Sequence, residues 1–340
     1  MDERNLIAEG TSKCRRAGRR DFFKRVGNGG IVAAAGASWL AAQAGHAAPS
    51  AESAPSASAP PAPAKKMPPL PTIKIGDKTV TRMIVGGNPV QGYAHTVQAL
   101  AQHMMEYFTV EQTAKFLLHC EEMGINTFQS SYSDKVRDAL LKAWESGSKL
   151  QFICLTADDP TQTPLEKVIP LKPIGISHHG VVTDSRFGEG KQELIHDYIK
   201  KVHDLGMLAG MSSHNPKNIQ AAEEKGWEND FFMTCFYNVV RTDEDLKRDF
   251  GAIPVGELYL ADDPIKMTET VRQSKKVCLG FKILAAGRLA MNSGSVQRAF
   301  QFAFKSIKPT DGVIVGMYPR FSDQAAENTN LVRRLAAVKG

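Results

Sequence analysis

The sequence predicts an α/β fold whose core is a (β/α)8 barrel, or TIM barrel. Eight short apolar runs are continuous rather than alternating, which is typical of parallel strands covered on both faces. Segments with helical patterning separate the runs, and together they fill about 270 residues, which suits one large domain. The predicted strands are residues 82–85, 127–130, 151–155, 174–177, 207–211, 231–236, 277–283 and 312–315.

Start and stop residues support helices between these strands. Thr109 and Gln112 have the spacing of a capping box, and Gly124 is a natural stop for the helix that begins there. Pro216 and Pro264 stand where proline suits the first helical position. The remaining predicted helices are residues 135–145, a short one after residue 164, and residues 190–205, 216–226, 264–275, 295–305 and 322–337.

The loop after the first predicted strand is unusually long. Gly86-Gly87-Asn88-Pro89 opens it, and no Gly-x-Gly-x-x-Gly is present there, so a doubly wound sheet is the less favoured alternative fold. Residues 103–108 are expected to form a helix that packs Met and aromatic side chains on the barrel. His95, in the same loop, is a candidate for the functional site.

Residues 1–48 predict an export signal. The pair Arg19-Arg20 is followed by Phe22-Phe23, then by a weakly apolar run over residues 30–42 and by small residues that suit a signal peptidase. The arginine pair and the residues after it resemble a twin-arginine signal, which carries proteins that have already folded. The apolar run is too short and too rich in Gly and Ala for a stable membrane span. We therefore expect a periplasmic or otherwise exported protein with the twin-arginine export machinery as a partner.

Residues 49–70 form a Pro/Ala/Ser tract with little to bury, which predicts a disordered linker. Residues 71–340 then form the predicted barrel domain. The chain carries a net charge of +6, but residues 1–48 contain eight Lys or Arg against four Asp or Glu, so the mature protein is nearly balanced. The basic isoelectric point is therefore no indication of nucleic-acid binding, and we expect a small-molecule substrate instead.

Four cysteines lie outside the predicted signal, and none belongs to a Cys-x-x-Cys pair. Their positions in apolar or helical segments predict buried core thiols rather than disulfides or a metal cluster. They are Cys120, Cys154, Cys235 and Cys278.

The functional site of such a barrel lies at the C-terminal ends of its strands, so polar residues directly after the predicted strands are the candidates. Adjacent residues of a strand point to opposite faces, so at most one of His178 and His179 faces the site. The candidates are Asn88, His95, Gln129, Tyr132, Thr156, Asp158, Asp159, His178, His179, Ser212, Ser213, His214, Tyr237, Asn238, Arg241, Lys282 and Arg320.

The order and spacing of several short motifs resemble the aldo-keto reductase family, and the resemblance covers most of the barrel. It implies an exported oxidoreductase, NADP as cofactor, and a carbonyl or sugar-like substrate. The motifs are GINTF at 124–128, ISHHG at 176–180, GMSSHN at 210–215, FYN at 236–238, KILAAGRL at 282–289, VG at 315–316 and EN at 327–328.

The resemblance also implies residues for the cofactor. In the family the last two barrel segments hold the NADP phosphates, and a helix start with free N–H groups suits an anion. The alternative for Gly316 is the closure of a tight turn, and for Arg320 a solvated surface charge. The implied cofactor-binding residues are Ser212, Ser213, Tyr237, Gly316, Arg320, Gln324 and Asn328.

The catalytic residues depart from the family, which uses an Asp, a Tyr, a Lys and a His. Gln129 stands at the Asp position and Thr156 at the Lys position. His179, by its following Gly, or its neighbour His178 matches the family's His. Tyr132 or Tyr93 is a candidate for the displaced Tyr, and Lys282 is the replacement cation on a strand. A tyrosine needs a nearby cation before it can donate a proton near neutral pH, so we expect poor reduction of simple carbonyl compounds.

Two other classes of function remain open. A non-redox lyase or isomerase would use Lys282 as a Schiff base, or a divalent metal held by His95, His179 and an Asp. A catalytically inactive barrel would serve as a binding module.

We predict that the precursor is cut between about residues 44 and 50 and that its export requires both Arg19 and Arg20. N-terminal sequencing of the periplasmic protein tests the cleavage site. Export of an Arg19→Lys, Arg20→Lys double variant at the wild-type level would contradict the twin-arginine route.

Overall fold

The computed structural model describes residues 67–336, so the predicted signal peptide and most of the predicted linker lie outside the described residues. An antiparallel hairpin, β1 (Thr72–Ile75) and β2 (Lys78–Thr81), precedes eight parallel strands that close into a barrel. The barrel strands are β3 (Met83–Gly86), β4 (Thr127–Ser131), β5 (Gln151–Thr156), β6 (Gly175–His178), β7 (Leu208–Ser213), β8 (Phe231–Cys235), β9 (Val277–Phe281) and β10 (Gly312–Gly316). The pairing of β10 with β3 completes the ring.

The helices lie between the strands of the barrel. They are α1 (Gln98–Tyr107), α2 (Val110–Glu122), α3 (Asp134–Glu145), α4 (Leu165–Val168), α5 (Gly180–Gly188), α6 (Glu193–Asp204), α7 (Pro216–Glu224), α8 (Asp243–Phe250), α9 (Asp263–Gln273), α10 (Ser293–Ser306) and α11 (Gln324–Leu335). The Thr109 side chain accepts a hydrogen bond from Gln112 N at the start of α2, as the capping pattern predicts. No helix of residues 67–336 is long and apolar enough to cross a membrane.

The predicted barrel is confirmed, and each of the eight predicted strands corresponds to one strand of the ring. The closed ring also excludes the doubly wound alternative. The seventh predicted strand was expected to reach residue 283 but ends at Phe281, because Lys282 has a positive φ of 58° that breaks the extended backbone. The hairpin and helices α5 and α8 were not predicted, because short elements give weak periodic signals.

The hairpin seals the N-terminal end of the barrel. Ile73, Ile75 and Val80 pack in one apolar cluster with interior side chains that include Ile84 and Phe231. A Cβ atom added at Gly210 would lie 2.4 Å from the Phe231 ring, so the interior is filled at this level. Only the C-terminal mouth is therefore left for a functional site.

The folded part begins earlier than the predicted linker boundary at residue 70. Leu70 is buried with 5 % exposure, and it packs into the core beneath the outer helices. Arg333 Nε donates a hydrogen bond to the carbonyl oxygen of Pro68 at 2.6 Å. The prediction missed this anchor because a single Leu inside a Pro-rich tract does not change its composition.

The four cysteines of the barrel domain are buried and free, as the prediction of core thiols requires. Their burial raises the pKa of each thiol, to about 12 for Cys154, Cys235 and Cys278. They therefore stay protonated and inert near neutral pH.

Leu70→Ala is expected to lower the free energy of unfolding by roughly 2–4 kcal/mol, because it removes a buried side chain and leaves a cavity. Met67→Ala is the matched control, since Met67 is 44 % exposed three residues earlier. Urea denaturation compares the two. An equal effect of both substitutions would show that Leu70 does not anchor the chain.

Candidate active site at the barrel mouth

The interior face of the strands changes from apolar to polar at the C-terminal mouth. Side chains alternate between the barrel interior and the helical layer, so Ser212 and His214 follow Gly210 on the interior face of β7 and its end. Phe281 ends β9 on the same face and packs against the interior cluster. The mouth therefore has an apolar floor beneath polar walls.

Lys282 lies in a chain of hydrogen bonds across the mouth. Its Nζ is 2.7 Å from Nε2 of His95, and Nδ1 of His95 is 2.8 Å from Oε1 of Glu257. The Tyr259 hydroxyl donates to the other oxygen of Glu257 at 2.7 Å. The first loop supplies His95, the sixth supplies Glu257 and Tyr259, and the end of β9 supplies Lys282. This Lys282–His95–Glu257 relay is thus built from three parts of the sequence.

Two residues of the relay have a strained backbone. Lys282 and His95 have positive φ angles of 58° and 54°, which a non-glycine residue adopts at a cost of about 1 kcal/mol or more. The turn at Lys282 carries its side chain away from the barrel wall and toward His95. Strain of this kind persists only where the surrounding contacts maintain it.

The loop that carries Glu257 is fixed at both ends by one buried carboxylate. Asp263 accepts hydrogen bonds from the backbone N–H groups of Asn238 at 3.3 Å and Leu260 at 3.4 Å, and it pairs with Arg241. A cavity of about 340 Å³ lies within this loop, and Glu257 forms part of its wall.

The relay combines a buried cation with a strongly acidic carboxylate. Burial lowers the pKa of Lys282 from its ordinary value, although Glu257 opposes this effect. Burial works to raise the pKa of Glu257, but hydrogen bonds from His95 and Tyr259 and nearby positive charge outweigh it and lower the pKa to about 2. Glu257 is therefore ionised and fixes the His95 tautomer, with Nδ1–H donating to the carboxylate and Nε2 facing Lys282.

A second carboxylate–imidazole pair lies on the other side of the mouth. Asp184 Oδ2 is 2.8 Å from Nδ1 of His214, and both side chains are less than 10 % exposed. Ser213 donates to Asp184 Oδ1 at 2.5 Å and Asn218 donates to it at 2.9 Å. These donors hold the carboxylate so that it orients His214, whose Nε2 has no hydrogen-bond partner within residues 67–336.

Phe281 separates the two pairs. The His214 ring meets the Phe281 ring edge-on with centroids 5.5 Å apart, and Lys282 Nζ lies 5.9 Å from the Phe281 centroid. Two acid–base units therefore flank one aromatic side chain at the base of the mouth.

His178 and His179 point to opposite faces of β6 and its end. His178 Nδ1 is 2.7 Å from Thr183 Oγ1, and its ring packs edge-on against Tyr198 of α6, on the outside of the barrel. His179 lies near His214 and Asp184, and its Nδ1 is buried without a partner in the described part of the chain. Burial lowers the pKa of His178 to about 3 and that of His179 to about 4, so both rings are neutral near pH 7.

The other predicted catalytic residues do not join the relay. The Tyr132 hydroxyl contacts Asp134 at 3.4 Å and Arg137 at 3.3 Å near the start of α3. It therefore bonds to these residues and not to Lys282. Gln129 is buried in the middle of β4, and its backbone carbonyl oxygen accepts from Gly87 N.

The first three predicted cofactor-binding residues divide between the interior and the outer layer. Ser212 is buried beside Gly180, whereas Ser213 is engaged by Asp184. Tyr237 packs against Tyr259, with ring centroids 5.1 Å apart.

Backbone N–H groups at the predicted binding site for the NADP phosphates already donate to side chains of the protein itself. The last helix begins at Gln324 rather than Ser322, and its N-cap Asp323 accepts from Ala326 N. The Gln324 side chain accepts from Tyr318 N at 2.8 Å. A carboxylate at the helix start opposes a bound phosphate by like-charge repulsion, so this donor set does not fit the phosphates of NADP.

The other residues predicted to bind the NADP phosphates lie in three different surroundings. Arg320 is exposed over the Tyr107 ring at 5.6 Å, and a Cβ atom at Gly316 would lie 2.8 Å from Pro89. Asn328 is 5 % exposed within α11. Gly316 is the last residue of β10, and the absence of a side chain there makes room for Pro89.

Sequence reasoning missed Asp184 and Glu257. Asp184 lies on α5, which was not predicted, and no motif marks it. Glu257 lies in the stretch between β8 and α9, whose length is itself a sign of a functional loop.

The suggested metal ligands His95 and His179 belong to different clusters. Within residues 67–336, no group of three or more His, Cys, Asp or Glu side chains is arranged to hold a metal ion.

No protein-family model matches the chain, and no curated protein matches it. Among solved structures, it is similar to a glycerol dehydrogenase from Gluconobacter oxydans, at 11% identity over 78% of this chain and 95% of that one, with a TM-score of 0.44. An aldo/keto reductase from Brucella melitensis gives 11% identity over 78% and 98% of the chains and a TM-score of 0.41. A dihydropteroate synthase from Xanthomonas albilineans gives 10% identity over 78% and 96% and a TM-score of 0.44. Similarity this distant carries no argument about activity.

Lowering the pH from 6.5 to 5 is expected to lower the free energy of unfolding. The unfolded state takes up protons on His178 and His179 near pH 6.5, whereas the folded rings stay neutral until about pH 3 and about pH 4. Each contributes a loss of about 1.4 kcal/mol per pH unit. Urea denaturation across this range should show a shallower loss in His178→Gln than in the wild type. The control is His103→Gln, because His103 is exposed. If the free energy of unfolding fell equally steeply with pH in both variants, the low pKa of His178 in the folded protein would be contradicted.

Proposed function

We propose that this chain is a lyase or isomerase that moves a proton on a carbonyl or sugar-like substrate held over Phe281. The observation that carries the proposal is the pair of acid–base units on either side of that ring, Asp184–His214 and Lys282–His95–Glu257. Enzymes that form an enediol need a base at the carbon and a proton donor at the carbonyl oxygen.

His214 acts as the base. Its Nε2 removes the proton from the carbon next to the carbonyl group, and the positive charge that develops on the ring is stabilised by Asp184 through Nδ1–H. Ser213 and Asn218 keep the Asp184 carboxylate in position. His179 stays neutral beside this pair, so it does not compete as a cation.

Lys282 acts at the carbonyl oxygen. Its ammonium group donates a hydrogen bond to the oxygen as negative charge develops there, and then transfers a proton to it. The lowered pKa of Lys282 favours this transfer. Lys282 then regains a proton from solvent, while His95 and Glu257 behind it keep the ammonium group in position. The same lowered pKa would favour a Schiff base, but the contact with His95 supports the role of proton donor.

The NADP-dependent oxidoreductase is the second candidate. It would use Lys282 in the same way, as the proton donor to the carbonyl oxygen, with the bound cofactor supplying hydride. Exposed Arg320 favours it as a cation near the end of β10, and Asp323 at the helix start disfavours it.

We further propose that the protein acts outside the cytoplasm after twin-arginine export. The support is the sequence of residues 1–48 alone. An enzyme that uses only its own side chains would need no supply of reduced cofactor in that compartment.

Incubation with aldoses and ketoses in deuterium oxide is expected to exchange the hydrogen next to the carbonyl group, as followed by proton NMR. His214→Asn and Lys282→Met should each slow exchange by roughly a hundredfold or more, the usual effect of losing a general acid or base. His203→Asn is the matched control, because His203 pairs with Asp230 at 2.8 Å at the opposite end of the barrel.

Exchange that survives His214→Asn in a folded variant would contradict the proposal. Oxidation of NADPH by these compounds without any exchange would support the oxidoreductase instead.

A further inference from the structure

Arg288 stands at the rim of the mouth in a fixed position. Its guanidinium stacks over the Tyr259 ring at 3.9 Å from the centroid. Nη2 donates to the carbonyl oxygen of His95 at 3.2 Å, and Nη1 donates to that of Ala285 at 3.3 Å. Lys282 contacts the ring of His95, so both cations form hydrogen bonds with the same residue.

Arg288 has no acidic partner among the described residues, and unlike Arg82, which also bonds only to carbonyl oxygens, its side chain is exposed. In the part of the chain that the structure describes, no Asp or Glu lies within ion-pair distance of its guanidinium, which bonds only to carbonyl oxygens. Several other arginines pair with carboxylates, namely Arg137, Arg186, Arg241 and Arg248. On the side of the mouth that carries the relay, Lys282 and Arg288 therefore lie near one carboxylate, Glu257, whereas Asp184 lies with His214 beyond Phe281.

We propose that Arg288 binds an anionic group of the substrate, so that the substrate is a carbonyl compound of the acidic-sugar class that carries a carboxylate or a phosphate. This inference rests on the proposed function, because it concerns the substrate of that same site.

The geometry of Arg288 suits this role. A guanidinium has five N–H donors in one plane, and the two carbonyl contacts leave other donors of this exposed side chain free. The stack on Tyr259 uses the face of the group and not its edge. Two carbonyl contacts and the stack fix the side chain in advance, so little conformational freedom is lost when an anion binds.

The test is calorimetric titration of the full-length protein with D-glucuronate, D-glucose and D-glucose 6-phosphate. The three sugars share a ring and differ at the sixth carbon, which bears a carboxylate, a hydroxyl or a phosphate. We expect one anionic sugar to bind at least about tenfold more tightly than glucose at low salt, with a smaller ratio in 0.5 M sodium chloride, the behaviour of an exposed charge pair. The tighter of the two anions identifies the group.

Arg288→Gln should remove the preference and leave the affinity for glucose unchanged. Arg288→Lys should keep only part of it, because a lysine lacks the planar fork. Arg298→Gln is the control, since Arg298 is an exposed arginine on α10, and it should keep the full preference. Equal binding of all three sugars, no binding of any, or a preference that survives Arg288→Gln would overturn the inference.

The readout is separate from catalysis. If Arg288 confers tighter binding of an anionic sugar but no hydrogen exchange occurs, the anion site stands and the proposed reaction is wrong. If exchange occurs without tighter binding of an anionic sugar, the proposed reaction stands and the anion site is wrong.

Discussion

Closure of the barrel by the pairing of β10 with β3 is the constraint on which the rest of the structure depends. The first and last strands of the ring pair in parallel, in a register that runs from Met83 opposite Val313 to Gly86 opposite Gly316. Arg82 reinforces this seam, because its buried guanidinium donates to the carbonyl oxygens of Asp311, at 2.9 Å, and Ala336, at 2.8 Å. Once the ring is closed, all eight loops at the C-terminal ends of the strands face one mouth.

The candidate site depends on that convergence. His95 and Lys282 are 187 positions apart in the sequence, and they meet because the first and seventh barrel strands end at the same rim. The backbone at both residues is strained, and the contacts around them maintain it. The hairpin of β1 and β2 fills the other end of the barrel, which confines polar chemistry to the mouth.

The two acid–base units differ in their electrostatic design. Asp184 and His214 are both buried and share a dense set of neutral donors, which fixes the ring orientation. The Lys282 relay instead combines a desolvated cation with an ionised carboxylate through one imidazole. Phe281 lies between them, with the His214 ring centroid 5.5 Å and Lys282 Nζ 5.9 Å from the centroid of its ring.

The sequence by itself determined the barrel, its eight strands and the location of polar residues after them, because continuous apolar runs and helix caps are local signals. It also identified His95, His179 and Lys282 as candidates. Only the tertiary structure decided that Lys282 contacts His95 and Glu257, that Asp184 orients His214, and that Tyr132 stays apart from them. These outcomes depend on loop paths and on a positive φ at Lys282, which arise from contacts between distant segments and leave no periodic mark in the sequence. For the same reason Leu70 looked like the end of a linker, although its burial against the outer helices makes it part of the core.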